Sequence, residues 1–168
     1  MLDFHTLSIV AHTLSATGAF VVGVVLIFQR DRLRQLQLGI AFLALLLLLE
    51  VFLAIAILSH VTSLLTMTQI IFGGLALLGL YMIWRAAQAV SVLREPHGNQ
   101  GAVVDHVGFD LISLFDGFAI ISAIDLQAPG WLVAAIAVGA VAVGIYAINS
   151  RKRTLPRQSM STATRRNR

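Results

Sequence analysis

The stretch that decides the fold is residues 43–58, LALLLLLEVFLAIAIL, which is apolar on every side of a helix except at Glu50. A helix that is apolar all round lies in a lipid bilayer or in the core of a bundle. The stretch belongs to a window of about 20 apolar residues, the length that crosses a membrane core about 30 Å thick. Four more such windows occur, so the sequence predicts an all-α membrane protein with five transmembrane helices.

The composition of the whole chain agrees with this class. Of its 168 residues, 58% are hydrophobic and 12% are charged, whereas soluble domains average about 45–50% and about 25%. A soluble globular domain is therefore excluded as the starting hypothesis. The chain contains no cysteine, which excludes disulfides, thiolate nucleophiles and thiolate metal sites.

The five windows form one predicted transmembrane domain, which occupies residues 1–150. The predicted spans are residues 7–28, 38–59, 64–84, 107–126 and 129–148. The third helix is predicted to continue past its span through residues 85–94 and to be broken at Pro96, because the residue before a proline is disfavoured in a helix. The remaining residues, 151–168, are rich in basic side chains and lack periodic apolar residues, so we predict a disordered basic tail.

The distribution of basic residues predicts the orientation. The 12 Lys and Arg residues fall at positions 30–34, at positions 85–94 and after Asn149. If all five windows span, these three regions lie on one side of the membrane, and the segments on the other side contain no Lys or Arg. The positive-inside rule then places the N-terminus outside and the C-terminus in the cytoplasm, as in a bacterial inner-membrane protein. The rule also favours the fourth span, whose three Asp residues make its hydropathy marginal.

Glu50 is the most informative polar residue. By the helical rise per residue it lies about 18 Å from the cytoplasmic end of the second span, near mid-membrane. Asp116 lies about 13 to 14 Å from the same side, so the two carboxyl groups are predicted at similar depth. Ionisable residues inside a membrane mark ion or proton paths, and the alternative is a structural hydrogen bond to a neighbouring helix.

Other polar residues extend this pair into a predicted path for protons or cations. Asp110, Ser113 and Asp116 share one face of the fourth helix, and His106 lies at the cytoplasmic edge of that face. Carboxyl and imidazole groups at successive depths can each take up and release a charge while the bundle shields it from lipid. The predicted order from the outside is His60 with Asp125, His12 with Gln69, Glu50, Asp116, and then Asp110 with His106.

The histidines leave the cofactor unknown. His5 and His60 are predicted near the outer surface, where they form a candidate metal site together with Asp125. His12 is the candidate iron ligand of a haem, although His60 matches its depth poorly. The alternative is that these histidines are packed or solvated.

Small residues predict how the helices pack. In the first helix Ser15, Ala19 and Gly23 recur every fourth residue, which lets a neighbouring backbone approach closely. A similar stripe in the third helix contains Gly73 and Ala76. Because five short helices enclose little space, we expect a homo-oligomer or a membrane partner subunit.

The other expected partners are the bilayer and its anionic lipid head groups. The head groups attract the basic tail at about 1 kcal/mol per Lys or Arg near the surface. Nucleic acid is not expected, because the tail lacks interleaved aromatic residues and a nucleic-acid-binding fold.

Three functions fit these residues. The first is a small proton- or cation-linked transporter or relay that uses Glu50 and Asp116. The second is a non-catalytic accessory or assembly subunit of a membrane complex, and the third is a haem- or quinone-linked membrane anchor that uses His12. The sequence contains no GxSxG, HExxH, P-loop or dinucleotide-binding motif, so an enzyme is the less favoured class.

Overall fold

The computed structural model describes residues 4–59, 66–96 and 98–153, with the side chains of all these residues except 4, 5, 66–72, 124 and 125. The described chain is all-helical and contains no strand. All five helices are long and apolar enough to cross a membrane, so by length and composition this is a multi-pass membrane protein. The helices are α1 (Phe4–Phe28), α2 (Arg32–Leu58), α3 (Thr66–Arg94), α4 (Gln100–Asp125) and α5 (Gly130–Arg153).

Local sequence explains where the helices begin and end. The Asp31 side chain caps α2 by accepting a hydrogen bond from the backbone N–H of Leu33 at 3.1 Å. The prediction that the third helix continues beyond its span and is broken at Pro96 is confirmed, because α3 ends at Arg94. At the start of α4, the Asn99 side chain accepts a hydrogen bond from the backbone N–H of Gly101 at 2.8 Å.

The first four helices form a closed bundle. Each helix packs against the next, and α1 completes the ring by packing against α4. The last helix, α5, packs on the outside against α4 and has no buried residue. The interior of the protein is therefore built by α1 to α4, with α2 and α4 at opposite corners.

The tightly packed core lies in one half of the bundle, where α1, α3 and α5 end and α2 and α4 begin. We call it the basic half, because it contains every Lys and Arg of the described chain. The core extends beyond the predicted spans, since Leu93 and Val103 belong to it. Its members are Ala19, Leu26, Phe42, Leu46, Met82, Ala86, Ala89, Leu93, Val103 and Val107.

The opposite half is packed more loosely. Among the described side chains, α2 has no buried residue after Glu50, and α4 has only Ala123 after Asp110. Gly73 and Gly117 have open space where a Cβ atom would lie. Gly73 of the predicted packing stripe therefore has no neighbour among the described residues, because α3 buries its other end, in the basic half.

Small residues make close contacts elsewhere, as predicted for the first helix. Ser15 and Ala19 are buried, and the side chains of Phe42 and Leu111 lie against Gly23. Between α4 and α5 the contacts are reciprocal. Ile148 of α5 lies against Gly108 of α4, and Ile112 of α4 lies against Gly144 of α5. These glycines let the two backbones approach closely.

A pair of amides joins α2 to α4 in the basic half. Gln35 Nε2 donates to Gln100 Oε1 at 3.1 Å, and Gln100 Nε2 donates to Gln35 Oε1 at 2.9 Å. Gln35 Nε2 also donates to the carbonyl of Gln29, between α1 and α2, at 2.6 Å. Because Gln35 is buried, these bonds satisfy its polar atoms and connect three parts of the chain.

The predicted tail begins later than expected, because α5 continues through Arg153. Arg151 donates to the carbonyl of Ile27 at 3.3 Å, and its guanidinium lies 5.1 Å from the centre of the Phe28 ring. Lys152 pairs with Asp105 of α4. These contacts hold the last turn of α5 against the bundle, and residues 154–168 lie outside the described residues.

Overpacking the core should destabilise the bundle. Ala19 is 0% exposed, so we expect Ala19→Leu to lower the free energy of unfolding by about 1–3 kcal/mol. The matched control is Ala134→Leu on the exposed face of α5, where the same added atoms have room. Thermal unfolding of both variants in detergent measures the difference, and equal midpoints would contradict the packing described here.

Candidate functional site

Asp110 is the most enclosed ionisable residue of the described chain. Its side chain is 0% exposed, and both carboxyl oxygens are buried without a hydrogen-bond partner among the described residues. Val107, one turn earlier on α4, is equally buried and belongs to the core. Asp110 thus occupies a core position, although burial of a carboxylate without a partner costs several kcal/mol. The sequence analysis placed it with His106 at the last step of the path and did not predict this burial.

His106 connects Asp110 to the surface. The two residues are four positions apart on α4, which makes them neighbours on one helix face, with Cβ atoms about 5–6 Å apart. The Nδ1 atom of His106 is buried and has no hydrogen-bond partner among the described residues. The same histidine lines an open groove of about 510 Å³ between α3, α4 and α5.

Arg85 of α3 forms the wall of this groove opposite α5. Its Nη2 atom donates to the backbone carbonyl of Asp105 at 2.6 Å. The guanidinium lies 4.9 Å from the centre of the Phe109 ring and 5.9 Å from that of Tyr81, and both rings attract it by cation–π interaction. Its positive charge acts on His106 and on the nearby Asp110.

The sequence analysis treated Arg85 only as a residue that sets the orientation. One signal for a larger role was present, since Tyr81 precedes Arg85 by four positions on the same helix face. The ion pair of Asp105 with Lys152 was also missed. Lys152 Nζ lies 2.7 and 2.9 Å from the two carboxylate oxygens of Asp105, and this pair joins α5 to α4 beside the groove.

Glu50 lies against the backbone of α3. The residue is 9% exposed, and a Cβ atom at position 79 would overlap its Oε2 atom. A side chain at position 79 would therefore displace this carboxyl group. Oε2 is buried without a hydrogen-bond partner among the described residues. Gly79 was not identified from the sequence, because a glycine inside a membrane helix is common.

His12 connects α1 to the same level of α2. Its Nδ1 atom lies 3.0 Å from the backbone carbonyl of Leu49, the residue before Glu50. A carbonyl only accepts hydrogen bonds, so Nδ1 carries the hydrogen and donates it. In a neutral imidazole, Nε2 then has the lone pair and is available to accept a proton.

Asp116 and Ser113 continue the polar face of α4 away from the basic half. Both are partly buried, and Asp116 Oδ1 has no hydrogen-bond partner among the described residues. Asp116 follows Asp110 by six residues, a rise of about 9 Å along the helix. No hydrogen bond in the described chain joins Asp116 to Glu50, whose carboxyl group faces α3.

Several predicted site residues lie outside the description. They are the whole of His60 and the side chains of His5, Gln69 and Asp125. The metal site predicted at His5 and His60 therefore stays a prediction. Among the side chains that are described, no group of three or more His, Cys, Asp or Glu residues has the arrangement of a metal site.

These observations define an all-helical, multi-pass membrane protein with acidic groups inside its bundle and an arginine-lined groove beside them. Comparison of the chain with protein-family models, with curated proteins and with solved structures finds no match. The function is therefore argued from the geometry of the site.

The contact of Glu50 with Gly79 leads to a prediction about stability. A methyl group at position 79 overlaps the Glu50 carboxyl, so in Gly79→Ala this flexible side chain must turn away, and we expect that cost to offset the gain of about 0.5–1 kcal/mol in the free energy of unfolding that Ala brings to a helix. In a Glu50→Ala background the same change should keep the gain. Unfolding of the two single variants and the double variant in detergent measures this coupling.

The matched control is Gly73→Ala on the same helix, where a Cβ atom meets open space. This change should leave the stability unchanged or raise it slightly, because Ala favours a helix over Gly by about 0.5–1 kcal/mol. Additive effects of Gly79→Ala and Glu50→Ala would show that the two residues are not in contact.

Proposed function

We propose that the protein is a small proton relay, or a proton-linked transporter, whose path runs through the bundle of α1 to α4. The observation that carries this proposal is the Asp110 carboxyl group, which is fully buried without a partner and lies one turn from the groove residue His106. Ionisable groups inside membrane bundles are expensive, and they mark proton relays when they lie in sequence along a path.

The path begins at the groove. His106 lines this open space and lies on the same face of α4 as Asp110. An imidazole can accept a proton on one nitrogen while it releases one from the other. In our proposal His106 therefore passes protons between the groove and the enclosed carboxyl group of Asp110.

Beyond Asp110 the path continues into the loosely packed half. Ser113 and Asp116 follow on α4, Glu50 lies on α2 beside α3, and His12 joins α1 to α2 at that level. One oxygen atom of each of Asp116 and Glu50 is enclosed without a hydrogen-bond partner in the described chain, so in our proposal each carboxyl group takes up a proton. Water between these side chains completes the proposed path.

The arrangement of the acidic groups favours protons over metal cations as the transported charge, because the described carboxyl groups do not form a cluster that could replace the hydration shell of a metal ion. The guanidinium of Arg85 near Asp110 repels any free cation. A proton passes such a site because it moves from one group to the next as part of a covalent bond.

The orientation belongs to the same proposal. The basic half holds every described Lys and Arg, so the positive-inside rule places it at the cytoplasmic side of a cell membrane. The groove and His106 then open toward the cytoplasm, and the N-terminus lies outside. In a bacterial-type cell this membrane is the inner membrane.

The proton path can be tested in liposomes. The purified full-length protein, reconstituted with a pH-sensitive dye inside, should dissipate an imposed pH gradient. We expect Asp110→Asn to reduce this rate at least tenfold, because an amide cannot take up and release a proton. The dye signal reports the rate of proton entry.

The control is Asp31→Asn, which also removes one carboxyl group but keeps a side chain that caps α2 equally well. This variant should conduct at the rate of the unchanged protein. Equal rates for Asp110→Asn and the unchanged protein, with both correctly folded, would contradict the relay.

The absence of cysteine allows a simple test of orientation. A single cysteine introduced by Glu95→Cys, in the basic half, should react with a membrane-impermeant thiol reagent only after the cells are opened. Leu126→Cys, at the opposite end of α4, should react in intact cells. Labelling in the reverse pattern would contradict the proposed orientation.

A further inference from the structure

The groove beside Arg85 is an open crevice with α4 as its floor. The floor residues share one face of α4 and extend from Ala102 to Ile112, about 15 Å along the axis. Arg85 of α3 forms one wall, and α5 forms the other. The residues that line it are Arg85, Ala102, Asp105, His106, Phe109, Ile112, Ile145, Ile148 and Asn149.

The polar end of the groove has an excess of positive charge. Lys152 Nζ lies 2.7 and 2.9 Å from the carboxylate oxygens of Asp105 and neutralises that group. Asp105 therefore does not neutralise the charge of Arg85. The rings of Phe109 and Tyr81 lie 4.9 and 5.9 Å from the guanidinium carbon and attract it by cation–π interaction. A guanidinium in this position is suited to the oxygen atoms of a phosphate.

The other end of the groove is apolar. Ile112 of α4 and Ile145 of α5 line it, and no side chain of α5 is buried by the rest of the protein. The groove therefore changes from cationic to apolar along its length. A free anion would match only the first part of this surface, whereas an amphiphile with an anionic head group matches all of it.

We propose that this groove binds the phosphate head group of an acidic phospholipid, with an acyl chain along Ile112 and Ile145. Arg85 holds the phosphate, and Asn149 and His106 offer further polar contacts to the head group. Basic pockets between membrane helices on the cytoplasmic side are suited to such head groups. This site is separate from the tail, and its occupation does not depend on the proposed proton path.

Native mass spectrometry of the full-length protein in detergent tests the site. The protein is titrated with phosphatidylglycerol, with phosphatidylcholine of the same acyl chains, and with inorganic phosphate. We expect phosphatidylglycerol to bind at least tenfold more tightly than phosphatidylcholine. Inorganic phosphate at the same concentrations should neither bind nor displace the lipid, and displacement would show a free-anion site and overturn the assignment to a lipid.

Matched variants locate the binding. Arg85→Gln should weaken phosphatidylglycerol binding at least tenfold, whereas Arg94→Gln, which removes an exposed charge of the same helix, should leave it unchanged. Ala102→Phe fills the floor of the groove without a change of charge and should also weaken binding. The tail is present in every variant, so it does not contribute to these differences. Unchanged binding in both Arg85→Gln and Ala102→Phe would overturn the proposal.

Discussion

A polar group inside a membrane bundle must find a partner within the protein, because lipid offers none. The rest of this structure depends on how the basic half meets that constraint. There, the buried Gln35 and the half-buried Gln100 bond to each other, and α1 to α4 pack around an apolar core. Asp110 is placed in the same packed region without a partner, so it is the one described carboxyl group that the fold both encloses fully and leaves unsatisfied.

Much of the fold could be predicted from the sequence. The apolar windows identified all five helices, and Pro96 located the end of α3 correctly. The windows stopped short in the basic half, however, where α2, α3 and α4 continue with mixed sequences. Residues such as Gln35, Leu93 and Val103 are buried there by neighbouring helices and not by lipid. Hydropathy indicates only burial by lipid, so it could not show this part of the core.

The candidate site could be predicted only in part, for a similar reason. Spacing along α4 correctly grouped His106 and Asp110, because neighbours on one helix are fixed by the helical repeat. Contacts between helices depend on rotation and register, which no single sequence specifies. The contact of Glu50 with Gly79 and the ion pair of Lys152 with Asp105 are both contacts between helices.

The distribution of packing gives the acidic groups different roles. Asp110 lies at the border between the packed and the loose half, while Asp116 and the residues of α2 after Glu50 lie in the loose half. Water enters and side chains move most easily where packing is loose, so proton exchange among the acidic groups of the loose half meets little resistance. The step between His106 and Asp110 crosses the packed region and lies beside the fixed charge of Arg85. If protons move through this bundle, that single turn of α4 is where their passage is controlled.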